Sequence, residues 1–353
     1  MSRLHKFQPH TFHPKTSRRV LSALMALAPL GVFAATEQVI VSATRSEQTA
    51  VYIPANILVI GAEEIERNGA KTLTELLRSR AGIQVQDVVG SGARGTTLVM
   101  RGFGSNGANN TLVLLDGQKL NNPSLAAPDL SSIAMADIER VEIIQGSAGV
   151  LFGDQATGGV INIITKRPQE RSANVEVGFG SEDWESYRGN IGEAFDNGLA
   201  YRVAAEKHLT DNYRDNNEAD YDNVLARGSY TQTLFSAFVE AQQINDNMRL
   251  PGSISPTLIA QDRRQTRRPN DFTNIDTDRY RVGGEVVINP QWKIAAEYSY
   301  RDADSTGVFF GTQFTDATTV KAFTPRVLGT IDVPYGPLIA TLGYDNQGSE
   351  YES

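Results

Sequence analysis

The chain contains no cysteine among its 353 residues. Structural disulfides, thiolate metal sites and cysteine nucleophiles are therefore excluded. Histidine is almost as scarce, because three of the four histidines lie at His5, His10 and His13, and only His208 occurs further along. A metal or haem site built on several histidines would need partners that this sequence does not supply.

Positive charge is also in short supply. The chain has 33 basic and 41 acidic residues and a formal net charge of −8. This balance argues against nucleic acid as a partner, since proteins bind that polyanion with lysine and arginine. No catalytic constellation is visible, and we interpret Glu63 and Glu64 as the solvated face of a helix rather than an acid/base pair. The sequence predicts no enzyme.

Long apolar runs are missing after the N-terminal region, so no segment there offers the roughly 20 apolar residues of a membrane-spanning helix. The run VLSALMALAPLGVFA (20–34) follows a basic leader and ends in small residues at Val32 and Ala34. This pattern is typical of a secretory signal peptide, and we expect cleavage after Ala34. An exported protein without a spanning helix is either soluble or a membrane β-barrel.

The first half of the chain has the pattern of a small α+β domain. Helices are predicted at 62–68 and 72–81, each followed by glycine, with Thr72 and Glu75 spaced as a capping box. Short strands follow in GIQVQDVV, TTLVMRG, TLVLLDG, RVEIIQG and GGVINIITK. The segment GSGARG (90–95) matches a dinucleotide-binding spacing, but the residues after it favour a strand where that site needs a helix. We interpret it as a loop.

The last of these strands lies in FGDQATGGVINIITKRP (152–168). Its glycines are expected to permit positive φ and close backbone approach: Gly153, Gly158 and Gly159. Its apolar residues predict a strand buried on both faces: Val160, Ile161, Ile163 and Ile164. Lys166 and Arg167 are expected to mark the return to water.

From about residue 172 the side chains alternate with a period of two. LAYRVAAE (199–206), YRVGGEVVI (280–288) and WKIAAEYSYR (292–301) each have one apolar and aromatic face opposite a more polar one. This alternation is typical of a membrane β-barrel around a wet lumen, although the strands of a soluble β-sandwich alternate as well.

The connections between these strands favour the barrel. Short turns are predicted at 196–198, 231–233, 289–291 and 334–337, with a short loop near Trp184 and long polar loops at about 210–222, 246–278 and 303–320. Outer-membrane barrels sort their connections in this way, with short turns towards the periplasm and long loops outside. About nine strands can be counted. Because nine strands cannot enclose a plug, we expect this sequence to be the truncated first part of a larger barrel.

Four motifs of the first half stand in the order and spacing of the plug domain of TonB-dependent outer-membrane receptors: RGFG (101–104), LVLLDGQKLN (112–121), IERVEIIQGSAGVLFG (138–153) and ATGGVINIITK (156–166). QVIVSATR (38–45) resembles the TonB box that precedes this plug. The resemblance covers residues 37–168 and implies a plug lodged in a 22-stranded barrel. It divides the chain into a signal peptide (1–34), a TonB box segment (35–45), a plug (46–168) and an incomplete barrel (169–353).

The resemblance implies a receptor of the Gram-negative outer membrane that imports a scarce nutrient chelate into the periplasm. A ferric siderophore is the first expectation and cobalamin the second. The implied partners are outer-membrane lipid, the chelate, and TonB with its inner-membrane motor. The implied TonB-binding residues are Glu37, Gln38, Val39, Ile40, Val41, Ser42 and Ala43. The alternatives are a truncated fragment that does not transport, and a secreted β-rich adhesin or enzyme.

Two further sets of residues carry expectations. Arg101 and Arg140 lie among apolar strand residues, and buried arginine has to be paired. The resemblance suggests glutamates on the barrel wall as partners, the alternative being Glu139 or Glu142 within the plug. Cobalamin receptors of this family bind calcium in an acidic loop at a place similar to 211–223. This possible calcium site would use Asp211, Asp215, Asp220 and Asp222, although the spacing is not that of an EF-hand and a solvated loop is the simpler interpretation.

Overall fold

The computed structural model describes residues 40–41, 48–49, 56–80, 82–87, 95–121, 127–128, 130, 133–167, 170–334 and 336–353. The predicted signal peptide (1–34) lies outside the described residues. Within them, no helix combines the length and the apolar character needed to cross a membrane.

The first half is a mixed α+β domain, as predicted. Its elements are β1 Ile40–Val41, β2 Gln48–Thr49, β3 Asn56–Gly61, α1 Ala62–Asn68, α2 Leu73–Arg78, β4 Ile83–Asp87, β5 Thr96–Met100, β6 Thr111–Leu115, β7 Gln118–Lys119, β8 Ile138–Gln145, α3 Gly149–Phe152 and β9 Gly159–Thr165. One sheet has the order β3-β8-β9-β6-β7, while β1 pairs with β2 and β4 with β5. Only β3 among the longer strands was missed by the sequence analysis.

Local signals account for the helix ends. Helix α1 stops at Gly69, whose φ is 66°. Helix α2 begins after Thr72, whose Oγ1 accepts a hydrogen bond from the Glu75 amide. The Glu75 carboxylate accepts from the Lys71 amide at 2.8 Å, so the capping box closes one residue earlier than its usual form. Gly95, at the end of the GSGARG segment, leads directly into β5 and not into a helix, as predicted.

The glycine-rich stretch before β9 places this strand in the middle of the sheet. Gly153 has a φ of 90°, and a Cβ on Gly158 would lie 2.8 Å from the Asn110 carbonyl. Strand β9 then runs antiparallel to β8 and parallel to β6. All seven of its residues are buried, which confirms the strand predicted to be covered on both faces.

The second half is one antiparallel sheet of eleven segments. They are β10 Ser172–Phe179, β11 Glu185–Ala194, β12 Leu199–Thr210, β13 Ala219–Thr231, β14 Phe235–Arg249, β15 Phe272–Asn289, β16 Trp292–Phe309, β17 Thr312–Phe323, β18 Arg326–Val333, β19 Gly336–Gly343 and β20 Asn346–Glu352. Because β17 and β18 both pair with β16, and β19 and β20 pair back onto them, the eleven segments form nine passes. The chain therefore crosses the sheet nine times, which agrees with the nine strands counted from the sequence.

One predicted loop is wrong. Residues 303–320 form a continuous hairpin of β16 and β17, in which Phe309 pairs with Thr312. The turn consists of Phe310 at φ 52° and Gly311 at φ 77°. Both strands carry many polar residues near this turn, so the apolar alternation that identifies a barrel strand is absent there. The loops at 211–218 and 250–271 are present but shorter than predicted, because their strands extend further.

The sheet exposes its apolar face and covers its charged one. Along β15, Arg279 and Arg281 are each 4% exposed, whereas Tyr280 and Val282 are 50% and 49% exposed. In β12 the same holds for buried Arg202 and Glu206 beside exposed Leu199 and Val203. A soluble sandwich buries the opposite face. This sheet therefore has the surface of a barrel wall that faces lipid outside and a polar lumen inside.

Two adjacent valines test this orientation at nearly equal depth. Val286 lies on the exposed apolar face and Val287 on the inner face. We expect Val286→Arg to destabilise the inserted protein by about 1–4 kcal/mol, depending on its depth in the hydrocarbon, and Val287→Arg to have little effect. The measurement is the folded, heat-modifiable fraction in outer membranes. Equal losses for the two variants would contradict the assigned faces.

Candidate functional site

A tight hairpin brings the first half of the chain against the inner face of the sheet. Strands β6 and β7 pair through Leu115 and Gln118, and the turn between them is Asp116 at φ 50° and Gly117 at φ 84°. Two residues with positive φ define a type I′ turn, which Asp-Gly favours. The Gly117 amide donates to the Asn162 side chain at 3.2 Å, which ties the turn to β9.

Asp116 occupies the centre of a buried charged cluster. On the plug side, its carboxylate accepts from the Thr165 amide at 2.9 Å and from Thr165 Oγ1 at 2.8 Å. On the wall side, it accepts from Arg281 Nη1 at 3.0 Å. The side chains of Asp116 and Arg281 are almost fully buried. Asp116 therefore connects the β6–β7 turn to β15 through Arg281 and to the end of β9 through Thr165.

The wall provides two further carboxylates for the same arginine. Arg281 also contacts Glu240 at 3.1 Å and Glu297 at 2.7 Å, and Glu240 binds Arg227 at 3.0 Å. Burial alone would raise the pKa of Asp116. Arg281, the Thr165 amide and Arg227 outweigh burial and lower this pKa to about 2, so the carboxylate is ionised at neutral pH.

A second ion pair lies beside the connection to the sheet. Asp137 pairs with Arg202 of β12, and both side chains are almost fully buried. Arg202 also donates to the Ala136 carbonyl at 3.3 Å. Lys166 donates to the same carbonyl at 3.0 Å through its side chain and to the Asp137 carbonyl at 2.9 Å through its amide. Burial is the main cause that lowers the pKa of Lys166.

A third contact involves the segment between α1 and α2. Arg188 of β11 donates to the Lys71 carbonyl at 2.7 Å and is held on the wall by Glu206 and Glu176. The Lys71 ammonium lies 3.9 Å from the centroid of the Trp184 ring. A cation over an indole is attracted to the face of the ring. The only tryptophan near this contact therefore reports on it.

The loops on the side opposite the short turns bind one another. Their contacts are Asp211 amide to Glu182 carbonyl at 2.9 Å, Arg264 to the Glu182 carboxylate at 2.6 Å, Arg214 to the Gln265 carbonyl at 2.8 Å, and Asp271 to the amides of Phe310 and Gly311 at 2.7 and 3.1 Å. These contacts connect all four loops of that side, including the hairpin turn at 310–311.

The two arginines predicted to anchor the plug have different surroundings. Arg101 is exposed, in a turn at φ 54°. Arg140 binds Glu139 at 2.5 Å and Glu142 at 2.9 Å, which was the alternative within the plug. Their described contacts do not reach the wall, and a role in anchoring stays a prediction. The described contacts to the wall include those of Lys71, Asp116, Gln118, Ala136 and Asp137, which sequence reasoning missed.

The acidic loop does not assemble a metal site in the described part of the chain, where no group of three or more histidine or acidic side chains is arranged to hold a metal ion. Asp220 and Asp222 instead share the Lys207 ammonium at 3.0 Å each. Asp211 and Asp215 lie in the loop before β13. Of the predicted TonB-binding residues, Ile40 and Val41 form β1. Glu37, Gln38, Val39, Ser42 and Ala43 lie outside the described residues.

Comparison with known proteins identifies this arrangement. Residues 49–160 match the family model of the TonB-dependent receptor plug domain. The vitamin B12 transporter BtuB of Photobacterium profundum is 30% identical over 350 residues, a match that covers 81% of this chain and 57% of the relative. The chain belongs to the TonB-dependent receptor family. It spans about half the length of the curated relatives that it matches.

Other relatives agree with this family. BtuB of Vibrio cholerae is 39% identical over 152 residues, covering 42% of this chain and 24% of the relative. Among solved structures, unliganded ferric citrate transporter FecA superposes with a TM-score of 0.75 at 19% identity, over 84% of this chain and 48% of its own. The ferripyoverdine receptor of Pseudomonas aeruginosa gives 0.70 at 16%, over 88% and 44%. These relatives are transporters and receptors rather than enzymes, as the sequence predicted.

The lowered pKa of Asp116 predicts a pH dependence for the receptor. A carboxyl group with a lowered folded pKa adds stability above its unfolded pKa, near 4, and loses it as the pH falls towards 2. We expect Asp116→Asn, which suits the positive φ, to cost about 2 kcal/mol at neutral pH.

Trp184 fluorescence in a Trp292→Phe background provides the measurement, through urea unfolding of the plug. The difference between the Asp and Asn forms should be constant from pH 8 to 5 and should shrink below pH 4. A difference that persists at pH 2 would show that the Asp116 charge is not its origin.

Proposed function

We propose that this receptor acts in the outer membrane, where it binds a nutrient chelate outside the cell and passes it into the periplasm. The observation that carries the proposal is the folded plug, held by buried ion pairs to the inner face of a sheet whose outer face is apolar and exposed. Such a plug closes the lumen until it rearranges. The interlinked loops on the far side of the sheet are the proposed cargo-binding surface.

Cobalamin is the cargo that we propose first. The relatives detected by sequence, at 30 to 39% identity, are named vitamin B12 transporters. The structures named for ferric citrate and pyoverdine are 15 to 19% identical and support the fold alone. The sequence relatives therefore favour cobalamin over the ferric siderophore that the sequence analysis expected first.

Uptake by cells that lack the gene separates these cargoes. We expect deletion to abolish uptake of labelled cobalamin at nanomolar concentration and the gene, restored in trans, to recover it. Uptake of ferric citrate and ferric catecholates should be unchanged. Loss of ferric siderophore uptake with normal cobalamin uptake would replace cobalamin by a siderophore. Normal uptake of every chelate would count against transport.

The proposed energy source is TonB, which would pair with the segment 37–43 as an added strand. Within this segment, Ile40 and Val41 pair with Gln48 and Thr49. The described ladder is two residues long. Such a short ladder is easily exchanged for a partner strand, because an added strand is held by backbone hydrogen bonds. The partner would therefore bind β1 mainly through backbone hydrogen bonds and less through side-chain contacts.

We expect Ile40→Pro to abolish uptake, because proline removes one amide donor and fixes φ. Binding of cargo to the outside of the cell should be unchanged. The matched control is Ile40→Thr, which keeps the amide and the β-branched shape and should transport normally. Normal uptake by the proline variant would exclude this segment from energy coupling.

A further inference from the structure

The two ion pairs between plug and wall differ in the partners that their charged residues would keep if the pair separated. We use the name latch for the pair Asp116–Arg281 and the name clamp for the pair Asp137–Arg202. Both pairs are buried. A buried charge that loses its partner is strongly unfavourable unless other groups take over. The remaining partners of each residue therefore decide which pair can open.

Both residues of the latch keep other partners when the pair separates. On the plug, Asp116 keeps two donors from one residue, the amide and the hydroxyl of Thr165, at 2.9 and 2.8 Å. On the wall, Arg281 keeps Glu240 at 3.1 Å and Glu297 at 2.7 Å. Separation therefore breaks one ion pair and leaves the other contacts of Asp116 and Arg281 in place.

The clamp has no such reserve in the described part of the chain. The guanidinium of Arg202 contacts the Asp137 carboxylate and the Ala136 carbonyl, and both belong to the plug. If the plug left the wall here, Arg202 would be stranded among buried groups. The clamp also lies next to Lys166, which donates to both of these plug residues shortly before the chain enters β10. The covalent connection thus lies beside a wall arginine whose described acceptors all belong to the plug.

We infer that the plug opens at the latch and stays attached at the clamp, so that cargo passes between the β6–β7 hairpin and strands β15 to β17. A recess lies there already, lined by Gln118, Leu120, Arg279, Tyr300 and Thr324. Gln118 donates to Thr324 Oγ1 across it at 3.3 Å, a neutral hydrogen bond that water can replace. The assignment of this recess as the cargo route rests on the proposed transport function.

Thiol labelling tests the inference without any cargo. Because the chain has no cysteine, one introduced thiol is the only one present. Gln118→Cys reports on the latch side and Ala134→Cys on the clamp side, at residues that are 8% and 7% exposed. Leu120→Cys repeats the latch measurement while leaving the Gln118–Thr324 contact intact. The purified receptor in detergent is treated with excess maleimide at urea concentrations below unfolding.

We expect positions 118 and 120 to react at least tenfold faster than position 134. Asp116→Asn should speed labelling at 118 and 120 severalfold and leave 134 unchanged. Faster or equal labelling at 134 would overturn the inference. So would a labelling rate at 118 and 120 that does not respond to Asp116→Asn.

A reducible cross-link provides the functional arm. A short bis-methanethiosulfonate joining Gln118→Cys to Thr324→Cys should stop uptake of the cargo identified above, leave cargo binding intact, and be reversed by reductant. The two single-cysteine variants, treated identically, are the controls. Uptake that continues through the joined pair would overturn the inference. Absence of uptake before cross-linking would instead count against the proposed function, and the labelling result would still decide where the plug opens.

Discussion

The burial of Arg281 is the constraint on which the rest of this structure depends. A guanidinium enclosed between plug and wall is costly unless it is paired, and here three carboxylates pair with it: Asp116, Glu240 and Glu297. Two come from neighbouring strands of the sheet and one from the plug. The register of β14, β15 and β16, the type I′ turn at Asp116 and the position of β9 all have to agree for this cluster to form.

The inverted surface of the sheet follows from the same requirement. Strands alternate, so a strand that turns Arg279 and Arg281 inwards must turn Tyr280 and Val282 outwards. In water this outward face would be a liability, whereas in a bilayer it is the favourable surface. The inner face, in turn, presents charged side chains to the plug rather than an apolar surface. Plug and wall consequently meet through ion pairs and hydrogen bonds, whose energy depends on which partners remain when one is removed.

Sequence reasoning predicted the elements whose signals are local. Gly69 and Thr72 mark helix ends, Gly158 and Gly159 lead into a buried strand, and the alternation in β12 and β15 gives the faces of the sheet. It missed the pairing of Asp116 with Arg281, because 165 positions separate them and only the fold brings them together. The Asp-Gly turn and the inward-facing position of Arg281 could each be predicted from the sequence. Neither of them indicates that the two residues are in contact. Arg101 and Arg140 looked buried by their apolar neighbours, yet a turn exposes one and adjacent glutamates satisfy the other.

A plug has to be held firmly enough to close the lumen and loosely enough to move. Apolar packing would hold it, but moving any part away from the wall would then cost free energy in proportion to the apolar area exposed to water. Ion pairs with surplus partners behave differently, since the cost of separation depends on the groups that stay behind. Glu240 and Glu297 keep Arg281 neutralised whether or not Asp116 is present, and Thr165 continues to donate two hydrogen bonds to Asp116. Surplus acid on the wall therefore allows a buried contact to be both specific and reversible.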